Sequence, residues 1–158
     1  MPLSVGDRAP DFELKDQHGQ TVRLSALNGH QAVLVVFYPW AFTGVCGGEL
    51  HALQAELDDL VTDDVALLTV STDSMYALRS YADQEGFTFP LLSDFWPHGA
   101  VAQAYGVLHE EIGVALRGTF LVDRNGVVRW SVVTGIPDAR DVGDYKAALA
   151  ALRAGDRG

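Results

Sequence analysis

The sequence contains one cysteine, Cys46, and this residue is the first candidate for chemistry. A single cysteine excludes a disulfide within the chain, a zinc site built from several cysteines, and a redox cycle that uses two thiols of one chain. Three uses remain: an inert buried thiol, a disulfide with another molecule, or a nucleophile. The residues around Cys46 must distinguish these uses.

Cys46 lies between a predicted buried strand and a predicted helix. An apolar stripe begins at Leu50, which places Cys46 in or just before the first turn of that helix. The free N–H groups and partial positive charge at a helix N-terminus stabilise a thiolate. Thr43 lies three residues earlier, where its hydroxyl can cap the helix and donate to the sulfur. The three glycines between positions 44 and 48 allow a small substrate to approach the backbone closely, so this position favours a nucleophile.

Three kinds of nucleophilic chemistry compete for Cys46. A dithiol of the thioredoxin type needs Cys-x-x-Cys, and the fourth position here is Glu49. The segment 44–48 matches the G-x-nucleophile-x-G elbow of α/β-hydrolase-like enzymes, which keeps a cysteine hydrolase as an alternative. An elbow nucleophile follows its strand almost at once, however, whereas seven residues separate Tyr38 from Cys46. The third chemistry is peroxide reduction, in which the thiolate attacks a peroxide oxygen and becomes a sulfenic acid.

The elements that must position Cys46 predict an α/β fold. Short apolar runs predict buried strands, leucines spaced by three and four predict helices, and Asn125-Gly126 predicts a hairpin turn. Strands that alternate with helices predict a three-layer sandwich with a central mixed β-sheet and an N-terminal β-hairpin. The predicted elements are a hairpin of 11–14 and 21–24, strand 32–38, a helix through 50–60, strand 65–70, a helix carrying Met75, Leu78 and Ala82, strand 89–92, a helix near 99–105, a hairpin of 118–122 and 127–133, and a helix from Asp138 onward.

The length and net charge of the chain limit the classes of protein to which it can belong. At 158 residues the chain is predicted to form a single domain over 1–158. A formal net charge of −10 disfavours nucleic acids and anionic membrane surfaces, because both require a basic face. We find no signal-peptide pattern at the start, and the longest apolar run, 32–38, is far shorter than the ~20 residues of a membrane span. We therefore expect a cytoplasmic protein that binds neither nucleic acid nor membrane.

The spacing Pro39-x-x-x-Thr43-x-x-Cys46 resembles the active-site signature of the peroxiredoxin family. The segments 5–12, 89–94 and 117–123 resemble the same family in order and spacing, so the resemblance runs from end to end. The segment 94–99 and the lone cysteine resemble the one-cysteine alkyl hydroperoxide reductase E type of actinobacteria. The resemblance implies a thioredoxin-like fold and no cofactor.

The resemblance also implies an activity and a role for each site residue. The implied enzyme is a thiol peroxidase for hydrogen peroxide and organic hydroperoxides, with peroxynitrite as a further candidate substrate. Fixed donors accelerate such a reaction because negative charge spreads over the sulfur and both oxygens. The implied roles are Cys46 as the peroxidatic thiolate, Thr43, the Cys46 N–H and Arg117 as donors, Pro39 as a shield against water, and Glu49 as the partner that orients Arg117.

The missing second cysteine implies an external reductant. One subgroup of the family has a resolving cysteine five residues after the first, where this chain has His51, and residues 153–158 contain none. The resemblance implies mycothiol with a mycoredoxin, or a thioredoxin-like protein. A non-enzymatic peroxide sensor, which passes its sulfenic state to a partner, remains an alternative. Trp40 and Phe42 are expected to line an apolar substrate entrance and to contact a second subunit in a homodimer or higher homo-oligomer.

Two other groups have loosely metal-like spacing. Asp94 lies four residues before His98, and His109 precedes two glutamates. Isolated acid and histidine pairs are usually loop residues, so we predict no metal site. His51 is expected on the helix surface and not as a catalytic base.

Overall fold

The computed structural model describes residues 1–157, with side chains through residue 155. Within that range the polypeptide alternates between strands and helices, as the sequence predicts. The elements in chain order are β1 (Glu13–Lys15), β2 (Thr21–Arg23), α1 (Leu24–Leu27), β3 (Ala32–Phe37), α2 (Gly44–Ala55), α3 (Leu57–Leu60), β4 (Val65–Ser71), α4 (Met75–Glu85), β5 (Leu91–Ser93), α5 (Ala100–Ala104), β6 (Leu108–His109), β7 (Val114–Ala115), β8 (Arg117–Val122), β9 (Val128–Thr134) and α6 (Val142–Arg157).

Seven strands form one mixed sheet in the order β2-β1-β5-β4-β3-β8-β9. β3, β4 and β5 run parallel, while β8 pairs antiparallel with both β3 and β9. The carboxyl ends of β3, β4 and β5 therefore meet at one edge of the sheet. α2 starts from this edge, which is where Cys46 lies.

The sheet is buried on both faces, which explains the uninterrupted apolar sequence of β3. Successive side chains of a strand point to opposite faces. Leu34 and Val36 pack with α2, α3, α4 and α6 on one face. Val33 and Val35 pack with α1, α5 and the N-terminal segment on the other face. The molecule thus has three layers.

These observations confirm the predicted α/β fold with a central mixed sheet and an N-terminal hairpin. The helix predicted through Leu60 is wrong in one detail: it ends at Ala55, and the chain turns at Glu56 before α3. Leu60, in the short helix after this break, lies in the core with no exposed surface. The four-residue α1 and the small β6–β7 pair were not predicted from the sequence. The final helix begins at 142 and not at Asp138.

The single domain over 1–158 stays a prediction, and its last residue, Gly158, lies outside the described residues. Among residues 1–157, none of the helices combines the length and the apolar character that crossing a membrane requires.

Candidate active site

Cys46 is the third residue of α2 and has no exposed surface. The N–H groups of a first helical turn lack carbonyl partners one turn earlier, so they point toward the start of the helix unpaired. The sulfur receives a charge-assisted contact as well: Arg117 Nη1 lies 3.3 Å from Cys46 Sγ. This contact places a positive charge and an N–H donor directly against the sulfur. The alternative of a nucleophile elbow is wrong, because Cys46 lies inside a helix and not on a sharp turn after a strand.

Arg117 is brought to the sulfur by the sheet. It is the first residue of β8, which pairs with β3, the strand whose end leads to α2. The side chain is 3% exposed, so it points inward. Its Nε donates to the carbonyl oxygen of Ile136 at 2.5 Å, which fixes the plane of the guanidinium group. Its Nη1 is then directed toward α2.

Glu49 lies one turn after Cys46 and joins Arg117 to the helix. Its Oε1 accepts from Arg117 Nη1 at 2.5 Å, so the same nitrogen contacts both the carboxylate and the sulfur. This is the contact expected of a residue that orients Arg117. Burial alone raises the pKa of Glu49, but the hydrogen bonds and charge of Arg140, together with the charge of Arg117, outweigh burial and lower it. Glu49 is therefore an anion in the folded protein.

Arg140 is a member of this cluster that the sequence reasoning missed. Its backbone N–H and its Nε donate to Glu49 Oε2 at 2.7 and 2.8 Å, and its Nη2 donates to Oε1 at 3.0 Å. Its Nη1 also donates to the Thr119 hydroxyl at 3.1 Å. Arg140 lies in the loop before α6, where the sequence has no periodicity or motif. The need for a second arginine follows only from the burial of the Glu49 carboxylate, which is evident in the structure and not in the sequence.

Thr43 departs from its predicted role. It is the N-cap residue of α2, but its side chain makes no capping hydrogen bond. Its hydroxyl donates to the carbonyl oxygen of Trp40 at 2.9 Å. The prediction that this hydroxyl caps the helix and donates to the sulfur is wrong, because its single proton is given to Trp40. The oxygen keeps its lone pairs for another donor.

The remaining predicted site residues form the loop between β3 and α2. Pro39 is buried, whereas Trp40 is 38% exposed and Phe42 is 51% exposed. Phe42 has a φ of +65°, a backbone strain that costs on the order of 1–3 kcal/mol and that marks functional loops. Its ring packs on Tyr81 of α4, with centroids 4.7 Å apart. The structure thus places Cys46, Arg117 and Glu49 in contact, with the loop of Pro39, Trp40, Phe42 and Thr43 beside them.

Asp94 and His98, one of the two groups with metal-like spacing, make hydrogen bonds to the backbone. Both carboxylate oxygens of Asp94 accept backbone N–H groups of α5, from Val101 and Ala102. His98 Nε2 lies 2.6 Å from the carbonyl oxygen of Gly113. Within residues 1–157 we find no group of three or more potential metal ligands.

Comparisons with known proteins agree with this fold and site. The AhpC/TSA family model matches residues 5–131. Alkyl hydroperoxide reductase E of Mycobacterium tuberculosis is 51% identical over 152 residues, which cover 96% of this chain and 99% of that protein. The reduced 2-Cys peroxiredoxin of Plasmodium vivax has a similar structure, with a TM-score of 0.89 and 30% identity over 99% of this chain and 85% of that one. AhpC of M. tuberculosis has a TM-score of 0.84 and 29% identity, covering 97% and 99% of the two chains.

The protein belongs to the AhpC/TSA family of peroxiredoxins, which have a thioredoxin-like fold. It is an oxidoreductase of the thiol peroxidase class. The likeness to the alkyl hydroperoxide reductase E type, expected from the lone cysteine and the segment 94–99, is confirmed by the mycobacterial relatives.

Proposed function

We propose that the chain reduces hydrogen peroxide and organic hydroperoxides by a one-cysteine mechanism at Cys46. The thiolate attacks one peroxide oxygen and the O–O bond breaks. The leaving hydroxide or alkoxide takes up a proton and departs as water or alcohol, and the sulfur is left as a sulfenic acid. Peroxynitrite is a further substrate of the same chemistry.

The observation that carries this proposal is the 3.3 Å contact between Arg117 Nη1 and Cys46 Sγ. A buried guanidinium group at the sulfur stabilises both the thiolate and the charge that spreads onto the peroxide oxygens in the transition state. Glu49 and Ile136 hold this group in place before the substrate arrives. Such preorganisation is worth more in a site without bulk water, and the buried Pro39 helps to exclude it. Thr43, whose proton goes to Trp40, is left to accept a hydrogen bond from the peroxide O–H.

The sulfenic acid has no second cysteine in this chain, so an external thiol completes the cycle. The reductant is mycothiol with a mycoredoxin, or a thioredoxin-like protein. This chemistry requires a reducing compartment, and we propose the cytoplasm.

One experiment tests the first half of the cycle. Reduced protein is mixed with one equivalent of hydrogen peroxide, quenched at short times and weighed intact. We expect a rapid gain of one oxygen atom, about 16 Da, that is absent in Cys46→Ser. No gain over minutes would contradict the proposal. Turnover with added thiols then distinguishes a catalyst from a peroxide sensor, which would be oxidised once and not recycled.

The exposed aromatic residues of the β3–α2 loop suggest a second role in assembly. We propose that Trp40 and Phe42 line the substrate entrance and also contact a second copy of the chain in a homodimer or larger homo-oligomer. Trp40→Ala is expected to lower both the rate with organic hydroperoxides and the mass in solution measured by light scattering. A variant unchanged in both measurements would contradict this assignment.

A further inference from the structure

The peptide unit between Trp40 and Ala41 lies in the loop that joins β3 to α2, and both of its polar groups form hydrogen bonds. Its N–H, which belongs to Ala41, donates to Asp73 Oδ2 at 2.9 Å. Its carbonyl oxygen, which belongs to Trp40, accepts from the Thr43 hydroxyl at 2.9 Å. A trans peptide unit is planar, so its N–H and C=O point in opposite directions and turn together. The orientation of one hydrogen bond therefore fixes the orientation of the other.

Asp73 lies just after β4, at the same edge of the sheet as this loop, and is itself held in place. The Ser71 hydroxyl, at the end of β4, donates to Asp73 Oδ2 at 2.8 Å. The Ser93 hydroxyl, at the end of β5, donates to the carbonyl oxygen of Asp73 at 2.6 Å. The ends of two neighbouring parallel strands thus hold both the side chain and the backbone of Asp73. The carboxylate is a fixed anchor for the loop.

The Ala41 N–H depends on this anchor. Ala41 is 8% exposed, and within residues 1–157 its N–H has no acceptor other than Asp73. The next residue is Phe42, whose φ of +65° persists only because the surrounding structure holds it. The Phe42 ring packs on Tyr81, so Asp73 holds the backbone of the loop and Tyr81 holds its side chain. Without Asp73 the peptide unit before Phe42 is free to turn.

The same peptide unit determines the direction of the Thr43 hydroxyl. In the proposed function this hydroxyl accepts a hydrogen bond from the peroxide O–H. It offers its lone pairs in a defined direction only while its single proton has a fixed acceptor. That acceptor is the Trp40 carbonyl oxygen, which Asp73 orients through the peptide plane. The negative charge of Asp73 also polarises the chain of hydrogen bonds, which makes the Thr43 oxygen a stronger acceptor.

We propose that Asp73 is a positioning residue for peroxide reduction. It acts through the peptide unit between Trp40 and Ala41, and it sets the Thr43 hydroxyl to accept the hydrogen bond of the peroxide O–H. Its effect on Cys46 is therefore specific to peroxides and does not extend to other electrophiles. This inference rests on the proposed peroxidase function and extends it to a residue of the neighbouring loop.

The test compares two reactions of Cys46 that use Thr43 differently. Hydrogen peroxide has an O–H group that needs an acceptor, whereas alkylation by iodoacetamide needs the thiolate and involves no peroxide O–H. The rate of oxidation is divided by the rate of alkylation, both followed by intact mass in quenched samples. Asp73→Ala is expected to lower this ratio by roughly tenfold, less than the loss of a donor that contacts the reacting atoms. A merely loosened site would change access to the sulfur for both reagents and leave the ratio unchanged.

Two variants separate the hydrogen bond from a general disturbance of this loop. Asp73→Asn keeps an oxygen that accepts from the Ala41 N–H, so its ratio should lie within roughly threefold of the wild type. The matched control is Ser74→Ala, which removes a hydrogen bond at the adjacent position. The Ser74 hydroxyl caps α4 by accepting from the Ala77 N–H at 3.2 Å, and its loss should leave the ratio unchanged.

A milder variant keeps the inference testable even where Asp73→Ala does not fold. Ser71→Ala leaves the carboxylate in place and removes one of the two donors to its Oδ2 atom. The carboxylate is then held less firmly, and we expect the ratio of oxidation to alkylation to fall by roughly twofold to threefold.

A double-mutant cycle tests whether Asp73 acts through Thr43. Thr43→Val keeps the shape of the side chain without the hydroxyl, and it should lower the ratio of oxidation to alkylation by itself. Once the hydroxyl is gone, adding Asp73→Ala should lower the ratio by no more than roughly twofold. Two residues that act independently would instead show the product of the two single effects.

Three results would overturn the inference. One is an equal ratio in Asp73→Ala and Ser74→Ala, or, where Asp73→Ala does not fold, an equal ratio in Ser71→Ala and Ser74→Ala. Another is a cycle in which the effects of Asp73→Ala and Thr43→Val multiply. The third is a wild-type ratio in Thr43→Val, which would remove the acceptor that Asp73 is proposed to set. Failure of the wild type to take up oxygen from hydrogen peroxide would instead overturn the peroxidase function itself.

Discussion

Glu49 and Arg140 are ninety-one positions apart in the sequence and share three hydrogen bonds, two from the guanidinium group and one from the backbone N–H. Both side chains are buried, at 6% and 2% exposed. The backbone bond ties the loop before α6 directly to α2. Arg140 is thus a structural counterpart of Arg117: one arginine contacts Glu49 and the sulfur, and the other contacts Glu49 and the Thr119 hydroxyl.

Removing Arg140 should destabilise the fold. Arg140→Ala leaves part of a buried carboxylate without partners, and breaking such pairs costs about 3–5 kcal/mol. Because Arg117 still contacts Glu49, we expect a loss of about 3 kcal/mol in the free energy of unfolding, measured with urea. Arg79→Ala, an exposed arginine of α4, is the control and should change stability by less than about 0.5 kcal/mol. Equal stability of the two variants would contradict the burial of the Glu49–Arg140 pair.

Glu49 should make stability depend on pH on the acid side. Its pKa in the folded protein lies below its ordinary value of 4.5. A lowered pKa contributes stability that is fully present above the ordinary value and is lost as the pH falls through the folded value. The free energy of unfolding in urea is measured for wild type and Glu49→Gln from about pH 6 down to about pH 3. The two plots of this free energy against pH should converge only below the ordinary pKa of a glutamate. Parallel curves over the whole range would show that Glu49 has no lowered pKa.

Arg117→Lys should slow the oxidation of Cys46 while keeping the charge. Lysine cannot contact Ile136, Glu49 and the sulfur at once, because its single nitrogen lacks the planar fork of arginine. Loss of one preorganised donor typically slows a reaction by about 10²–10³-fold. We expect a decrease of this size in the stopped-flow rate with hydrogen peroxide. The control is Arg23→Lys, the same substitution in an exposed ion pair with Glu13 away from the active site. This variant should have the wild-type rate.

Two glycine substitutions should have opposite effects on stability. Gly48 lies inside α2 with nothing within 4 Å of an added Cβ, so Gly48→Ala should stabilise the protein by about 0.5–1 kcal/mol. Gly86 ends α4 with a φ of +76°, a conformation that alanine adopts only with strain. Gly86→Ala should therefore destabilise it by about 1 kcal/mol. Thermal unfolding of both variants checks the prediction, and a change of the same sign in both would refute it.

The fold was predictable because its signals are local. The apolar run of β3, the Asn125-Gly126 turn and the spacing of Leu50 and Leu53 each specify an element from neighbouring residues. The turn at Glu56 has no such signal, because the leucine spacing continues across it. The structure nevertheless ends α2 there, and Leu60 of the following turn is fully buried.

Only the site residues that belong to a sequence motif were predictable. One short motif contains Pro39, Thr43 and Cys46. Arg117 lies in a second segment, 117–123, that also resembles the family. Arg140 belongs to neither, and its role depends on how the loop before α6 folds back onto α2. The direction of the Thr43 hydroxyl is likewise a matter of geometry: it donates to the carbonyl oxygen of Trp40, which no pattern of residue types encodes.

The buried cluster at Cys46 has a charge that changes during the proposed cycle. Two arginines, one glutamate and a thiolate sum to zero, so the reduced site is neutral. Oxidation replaces the thiolate by an uncharged sulfenic acid and leaves one positive charge without compensation. That charge attracts an incoming thiolate, and it persists in the mixed disulfide. In the last step a second thiol breaks the disulfide between Cys46 and the external thiol. The positive charge favours Cys46 as the leaving thiolate, because the return of the thiolate makes the site neutral again. The same three charged side chains thus favour both the beginning of the cycle and its end.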